Sequence, residues 1–110
     1  MKHINHSEDN RKGDMAEYYA VTWLWDNGYE VFQNSGCTGP IDMIAIKDGT
    51  TTFVDVKTMQ KDKQSPSYRG KHGRTTEQKE LDVRLLFFNP ETRKLRWSKH
   101  RESIREKETR

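Results

Sequence analysis

Three residues in the middle of the chain, Asp42, Asp55 and Lys57, have types and spacing suited to chemistry on a charged substrate. Ile41 to Ile46 and Thr51 to Val56 are rich in β-branched residues, and Asp48-Gly49 between them suits the positive φ angles of a tight type I′ hairpin turn. With those two residues as the loop, Lys47 pairs with Thr50 and Asp42 falls directly opposite Asp55. Alternation then puts Asp42, Ile44, Ile46, Thr51, Phe53, Asp55 and Lys57 on one face, and Met43, Ala45, Val54 and Val56 on the other. Opposed carboxylates repel, and burying either one alone is costly, so the arrangement calls for a cation between them. A hard divalent ion with oxygen ligands, such as magnesium, meets that need.

A fourth acid, Glu17, lies in a segment with helical periodicity. From about Asp9 to Asn27, the residues Ala16, Tyr19, Ala20, Trp23, Leu24 and Asn27 follow a 3.6-residue repeat, and Gly28 marks the stop. Glu17 flanks this stripe. Helical side chains lean toward the N-terminus, so Glu17 lies over the turn that holds Gly13, where no side chain blocks an approach. It reads either as a contributor to the same site or as an ordinary helix-surface acid.

The remaining elements are short. Tyr29 to Asn34 reads as a strand with Val31 inward and Glu30 outward, and Ser35 to Pro40 as a loop of small residues delivering the chain to the hairpin. Thr75-Thr76-Glu77-Gln78 resembles a capping box and predicts a helix to about Val83 with Leu81 inward; Gln78 is either the partner of Thr75 alone or a site residue. Arg84 to Asn89 is an apolar strand covered on both faces, Asn89 to Thr92 a turn, and Lys94 to Trp97 an edge strand.

A chain of 110 residues fits one small domain, 1–110, with one modest core. Residues 1–8 and 99–110 are expected to be loosely held. No apolar run spans a bilayer and the N-terminus lacks an apolar signal core, so a cytoplasmic protein is expected. Cys37, the only cysteine, reads as a passive loop residue without a histidine to activate it, and His3-x-x-His6 lacks a third ligand nearby. The net charge of +3 conceals an asymmetry: residues 1–56 carry −5 and residues 57–110 carry +8. An acidic cluster beside a basic half suits a metal site next to a polyanion surface, and a solvated charged surface gives the same totals.

Residues 59–74 read as a basic mobile loop following directly on the Asp55/Lys57 strand. Lys61, Lys63, Arg69, Lys71, His72 and Arg74 are the candidates for phosphate contact, and Tyr68 for base stacking. A plain surface loop is the competing reading for any one of them.

Gly13-x-x-x-Glu17, Gly39-Pro40-Ile41-Asp42 and Phe53-Val54-Asp55-Val56-Lys57-Thr58, in the order helix, three strands, helix, two strands, resemble the PD-(D/E)XK nuclease superfamily. Within it, Gly39-Pro40-Ile41-Asp42 and Phe53-Val54-Asp55-Val56-Lys57-Thr58 resemble the archaeal and phage Holliday-junction-resolvase-like branch. The resemblance covers roughly residues 13–89. It departs at Pro40, which lies two residues before Asp42, and at Asp55, where the branch usually carries glutamate.

The resemblance implies an α/β fold: a restriction-endonuclease-like core with a central mixed sheet of about five strands flanked by helices. It implies a homodimer and metal-dependent hydrolysis of DNA phosphodiesters, with Glu17, Asp42, Asp55, Lys57 and Gln78 at the site. Glu17, Asp42, Asp55 and the backbone of Val56 would be the metal ligands, for magnesium or manganese in its place. Branched or otherwise structured DNA would be the partner, recognised through shape and phosphates, because no helix-turn-helix or zinc module is present. Two rivals stay open: a nicking, repair or restriction-type nuclease on duplex DNA, and a non-catalytic nucleic-acid-binding module with a relic site.

Overall fold

The computed structural model describes residues 8–36, 38–70 and 73–99. His3, His6, Cys37, Lys71, His72 and the tail from His100 lie outside the described residues. The first helix, α1 (Glu8–Asp26), turns Ala16, Ala20 and Leu24 of the expected stripe inward and adds Val21, while Trp23 is half-buried and Tyr19 and Asn27 of that stripe are exposed. It stops at Gly28, whose φ of 88° lets the Gly28 and Tyr29 amides donate back to the carbonyls of Trp25 and Leu24, at 3.0 and 2.9 Å.

Strands β1 (Glu30–Gln33), β2 (Met43–Lys47) and β3 (Thr50–Thr58) follow as an antiparallel meander. Asp48 and Gly49 both take positive φ, 52° and 77°, and Lys47 pairs with Thr50, so the hairpin has the expected register. The expected basic loop carries two short paired strands, β4 (Gln60–Lys61) and β5 (Tyr68–Arg69). Sequence periodicity could not reveal them because each is two residues long.

Helix α2 (Thr76–Glu80) opens on the Thr75 capping box but ends earlier than expected. Leu81 becomes its C-cap and is exposed, and Asp82 takes a φ of 58°, so the inward positions belong to Gln78 and Val83 instead. An aspartate tolerates the left-handed region better than most residues, which makes this an inexpensive place to end the helix.

Strands β6 (Arg84–Phe88) and β7 (Leu95–Trp97) complete a five-stranded sheet in the order β1-β2-β3-β6-β7. The central pair, β3 and β6, is parallel and every other neighbouring pair is antiparallel. The chain therefore has the expected mixed sheet with flanking helices. On one face Ala20, Val21 and Leu24 of α1 pack on Met43, Ala45, Val54 and Leu86. On the other, Leu85, Phe87 and Met59 form a second cluster with Tyr68 against it.

Candidate active site

Asp42 immediately precedes β2, and Asp55 occupies the middle of β3, on the opposite face from Val54 and the helix α1 core. The hairpin register continues past Met43–Val54 and brings the two acids together, their carboxyl groups within reach of each other. The Asp42 main-chain N–H donates to the Val54 carbonyl at 2.8 Å, and its Oδ2 accepts from the Val56 N–H at 2.7 Å. The side chain thus takes the place a further β2 residue would have held in the ladder.

Asp55 is 7% exposed, and its Oδ2 is held from two sides. Lys57 Nζ lies 3.1 Å away, and Gln78 Nε2 donates to it at 2.9 Å. Lys57 reaches this position because it is two residues along the same strand, on the same face. Gln78 reaches it from α2 and does three things at once. Its Oε1 accepts from the Thr75 N–H at 3.0 Å, closing the capping box. Its Nε2 divides between Asp55 and the Pro40 carbonyl, the latter also at 3.0 Å.

The loop that delivers Asp42 is fastened at both ends. Gln78 holds Pro40, and Asn34 Nδ2 donates to the carbonyls of Thr38 and Ile41 at 2.5 and 3.0 Å. Asn34 was not among the residues singled out from the sequence. An asparagine after a strand reads there only as a turn signal, and its grip on a carbonyl seven residues later has no local signature.

The electrostatics match two acids packed together in a partly buried place. Burial first, then the hydrogen bond and charge of Asp55, push Asp42 up to about 7, against the opposing pull of the Val56 N–H. Glu17, half-buried on α1, is also raised, by burial and then by the charges of Asp14 and Asp55. It therefore belongs to the same electrostatic neighbourhood. A Cβ added at Gly13 would meet nothing within 4 Å outside its own stretch of helix, so the turn beneath Glu17 is open as expected.

Among the described residues, no group of three or more His, Cys, Asp or Glu side chains is gathered as a finished metal cage. The donor set around Asp42 and Asp55 nevertheless suits a hard cation. It consists of oxygens, and each acid has one carboxylate oxygen already oriented by protein donors. Peptide groups alternate along a strand, so the Val56 carbonyl points toward the same edge as the Val56 N–H that meets Asp42.

The basic candidates divide into two groups. Lys61 and Lys63 are exposed. Arg69 pairs with Asp62 at 3.0 Å while staying largely in solvent. Tyr68 is half-buried against the Met59, Leu85 and Phe87 cluster, so only part of its ring is open for stacking. Arg74 departs from the expected phosphate role. Its side chain is 14% exposed and its Nη1 donates to the Val83 carbonyl at 3.3 Å, with Asp82 at 3.8 Å.

No helix of the described residues is long and apolar enough to cross a membrane. In fold, the chain is similar to the solved bacterial homing endonuclease I-Ssp6803I, with a TM-score of 0.69 over 84% of this chain and 69% of that one. At 16% identity the likeness is one of fold. Two proteins of Treponema pallidum, one from the Nichols strain and one from a second strain of that organism, are each described as a UPF0102 protein and are 42% identical over 50 residues. Those matches cover 44% of this chain and 40% of each relative's length. The model of the family described as Uncharacterised protein family UPF0102 matches residues 16–88, a span that holds most of α1, the whole hairpin, Gln78 and β6, and the chain belongs to that family.

Proposed function

We propose that this protein is a magnesium-dependent DNA endonuclease that hydrolyses phosphodiester bonds and prefers branched or otherwise structured DNA, in the manner of Holliday-junction-resolvase-like enzymes. The observation that carries the reading is the convergence of four side chains from three elements. Asp42 and Asp55 meet carboxyl to carboxyl, with Lys57 at 3.1 Å and Gln78 at 2.9 Å from the same Asp55 oxygen. The likeness in fold to an endonuclease supports it.

Asp42, Asp55 and the Val56 carbonyl, with Glu17 directly or through water, would hold magnesium, and manganese would substitute. When bound, the ion polarises the phosphoryl group and stabilises the departing oxyanion. Lys57 keeps its ammonium group at the carboxylate pair, where it orients the attacking water or offsets charge on the reacting phosphate. Gln78 is a positioning residue: it fixes the Asp55 carboxylate and, through Pro40, the approach of the chain to Asp42. A homodimer belongs to the proposal, because two-fold pairing supplies one site to each strand of a duplex. So does a cytoplasmic location, where DNA is accessible.

Four-way junction, flap, nicked and plain duplex DNA incubated in parallel with magnesium test activity and preference together. Junction or flap cleavage that Asp55→Asn abolishes while DNA binding persists is the expected result. Equal cutting of plain duplex would replace structure selectivity with a nicking, repair or restriction-type role. The rival reading is a non-catalytic nucleic-acid-binding module with a relic site. That reading predicts binding that survives chelation, and no cleavage with either magnesium or manganese.

A further inference from the structure

The parallel strands β3 and β6 end together, with Thr58 opposite Phe88. Just past their carboxyl ends lies a cavity of about 480 Å³, lined by Lys12 of α1, Thr58 to Lys61, Tyr68 and Pro90. Crevices outside the carboxyl ends of neighbouring strands are a recurrent ligand position in open α/β sheets. The walls of this one differ in chemistry. Met59 is buried, and Tyr68 packs beside it on Leu85 and Phe87, so the floor is apolar. Lys12 and Lys61 are exposed and come from separate elements, and among the described residues neither enters an ion pair. The Tyr68 hydroxyl donates to Glu91 at 3.4 Å, which ties β5 to the turn after β6; Glu91 itself is not part of the lining.

A duplex backbone presents phosphates alone, and a flat lysine surface satisfies it. An apolar floor between two separate cations fits a nucleotide that has left its stack, with its base over Met59 and Tyr68 and its flanking phosphates at the lysines. Thr58 is three residues beyond Asp55 on β3, about 10 Å along an extended strand. The groove therefore opens within a few nucleotides of a bond placed at the carboxylate pair. We propose that the groove between Lys12 and Lys61 holds an unpaired nucleotide of the strand being cut. This assignment rests on the nuclease reading and gives its substrate a specific feature, an unpaired nucleotide beside the scissile bond.

The test compares the wild-type protein with the double variant Lys12→Ala, Lys61→Ala in two assays. In the first, a short fluorescein-labelled oligo(dT) and a plain duplex are titrated without divalent metal over a range of salt. The expected result is about a tenfold loss of oligo(dT) affinity, with a salt slope shallower by about 0.7 for each lysine removed. In the second, magnesium-dependent cleavage is followed on a duplex bearing a single-stranded arm and on a plain duplex. Cleavage is expected to fall several-fold further on the armed substrate. Unchanged oligo(dT) affinity, or equal losses on armed and plain DNA, would overturn the assignment. Should neither DNA be cut by the wild-type protein, the nuclease reading fails while the titration still decides whether the groove binds a single strand.

Discussion

Gln78 Nε2 donates to Asp55 Oδ2 at 2.9 Å while Gln78 Oε1 closes the capping box on Thr75, so one amide both starts a helix and aims a buried carboxylate. The two duties can be separated by Gln78→Glu. A glutamate at this position of a capping box still accepts from the Thr75 N–H. Its second oxygen, however, replaces a donor with an acceptor facing both Asp55 and the Pro40 carbonyl. The expected outcome is a helix that still forms, with a stability loss of about 1–3 kcal/mol from the unmade bonds, and magnesium-dependent cleavage reduced by about tenfold or more. Gln78→Ala should lose the cap as well, adding about 1 kcal/mol to that loss. Denaturant unfolding and cleavage rates measured on both variants check this, and full activity in Gln78→Glu would show that Gln78 serves the helix alone.

Asp42 gives the clearest pH dependence. Burial and Asp55 raise it from 3.8 to about 7, so the folded chain favours the protonated acid more than the unfolded chain does. The associated stability is fully present below the ordinary carboxylate range and is lost as pH rises toward 7. In chelator, Tm should therefore fall between about pH 4 and 7, and magnesium should recover it at the upper end, where the ionised pair can hold the ion. Asp42→Asn removes the titrating group but keeps an oxygen that can accept from the Val56 N–H. It is expected to unfold at a higher Tm than wild type at pH 8 in chelator, and to cleave nothing. A flat Tm profile from pH 4 to 8, or a lower Tm for the variant, would contradict the pairing of the two carboxyls.

The hairpin was legible because its information is local. Asp48-Gly49 determines a turn type, the turn determines the register, and the register alone sets Asp42 against Asp55 and Lys57 beside it. The α1 stripe was legible for the same reason. What escaped depends on contacts distant in sequence. Gln78 was a candidate from the capping box and the resemblance, but which of its two readings holds could not be read locally: it meets Asp55 because β3 and β6 pair in parallel, which brings α2 back over the sheet. Leu81 looked like the inward residue of a longer helix, but the chain leaves the helix at Asp82 and gives the interior place to Val83. Arg74 looked like one more cation in a basic loop, and nothing in its neighbours announces the Val83 carbonyl that it meets.

The β4–β5 arm was missed on similar grounds, and the contact that seats it is testable. Gly70 follows β5 and sits against the Phe87 ring; a Cβ there would collide with the ring's Cε1 and Cζ atoms. The ring has little freedom to retreat, being 5% exposed with the Arg96 guanidinium 5.4 Å from its centroid. Gly70→Ala is therefore expected to cost about 1–3 kcal/mol as an overpacking change. It should also raise amide exchange in Gln60–Lys61 and Tyr68–Arg69 more than in the central strands. Urea unfolding with site-resolved exchange checks both. Wild-type stability in this variant would mean that the arm does not rest on Phe87.

Arg74 and Lys63 offer a last comparison, because two cations of one basic segment are placed for different work. Arg74 donates into the backbone at Val83 and is mostly covered, whereas Lys63 is exposed in the turn between β4 and β5. Arg74→Ala should lower stability by about 1 kcal/mol through the lost hydrogen bond, and leave the salt dependence of DNA binding as it was. Lys63→Ala should leave stability within about 0.5 kcal/mol, as exposed substitutions do. If Lys63 meets a phosphate, the variant should make the duplex salt slope shallower by about 0.9. Denaturant titrations paired with binding isotherms at several salt concentrations distinguish the two. A shallower slope for Arg74→Ala would return that arginine to the DNA-facing set, which its inward placement argues against.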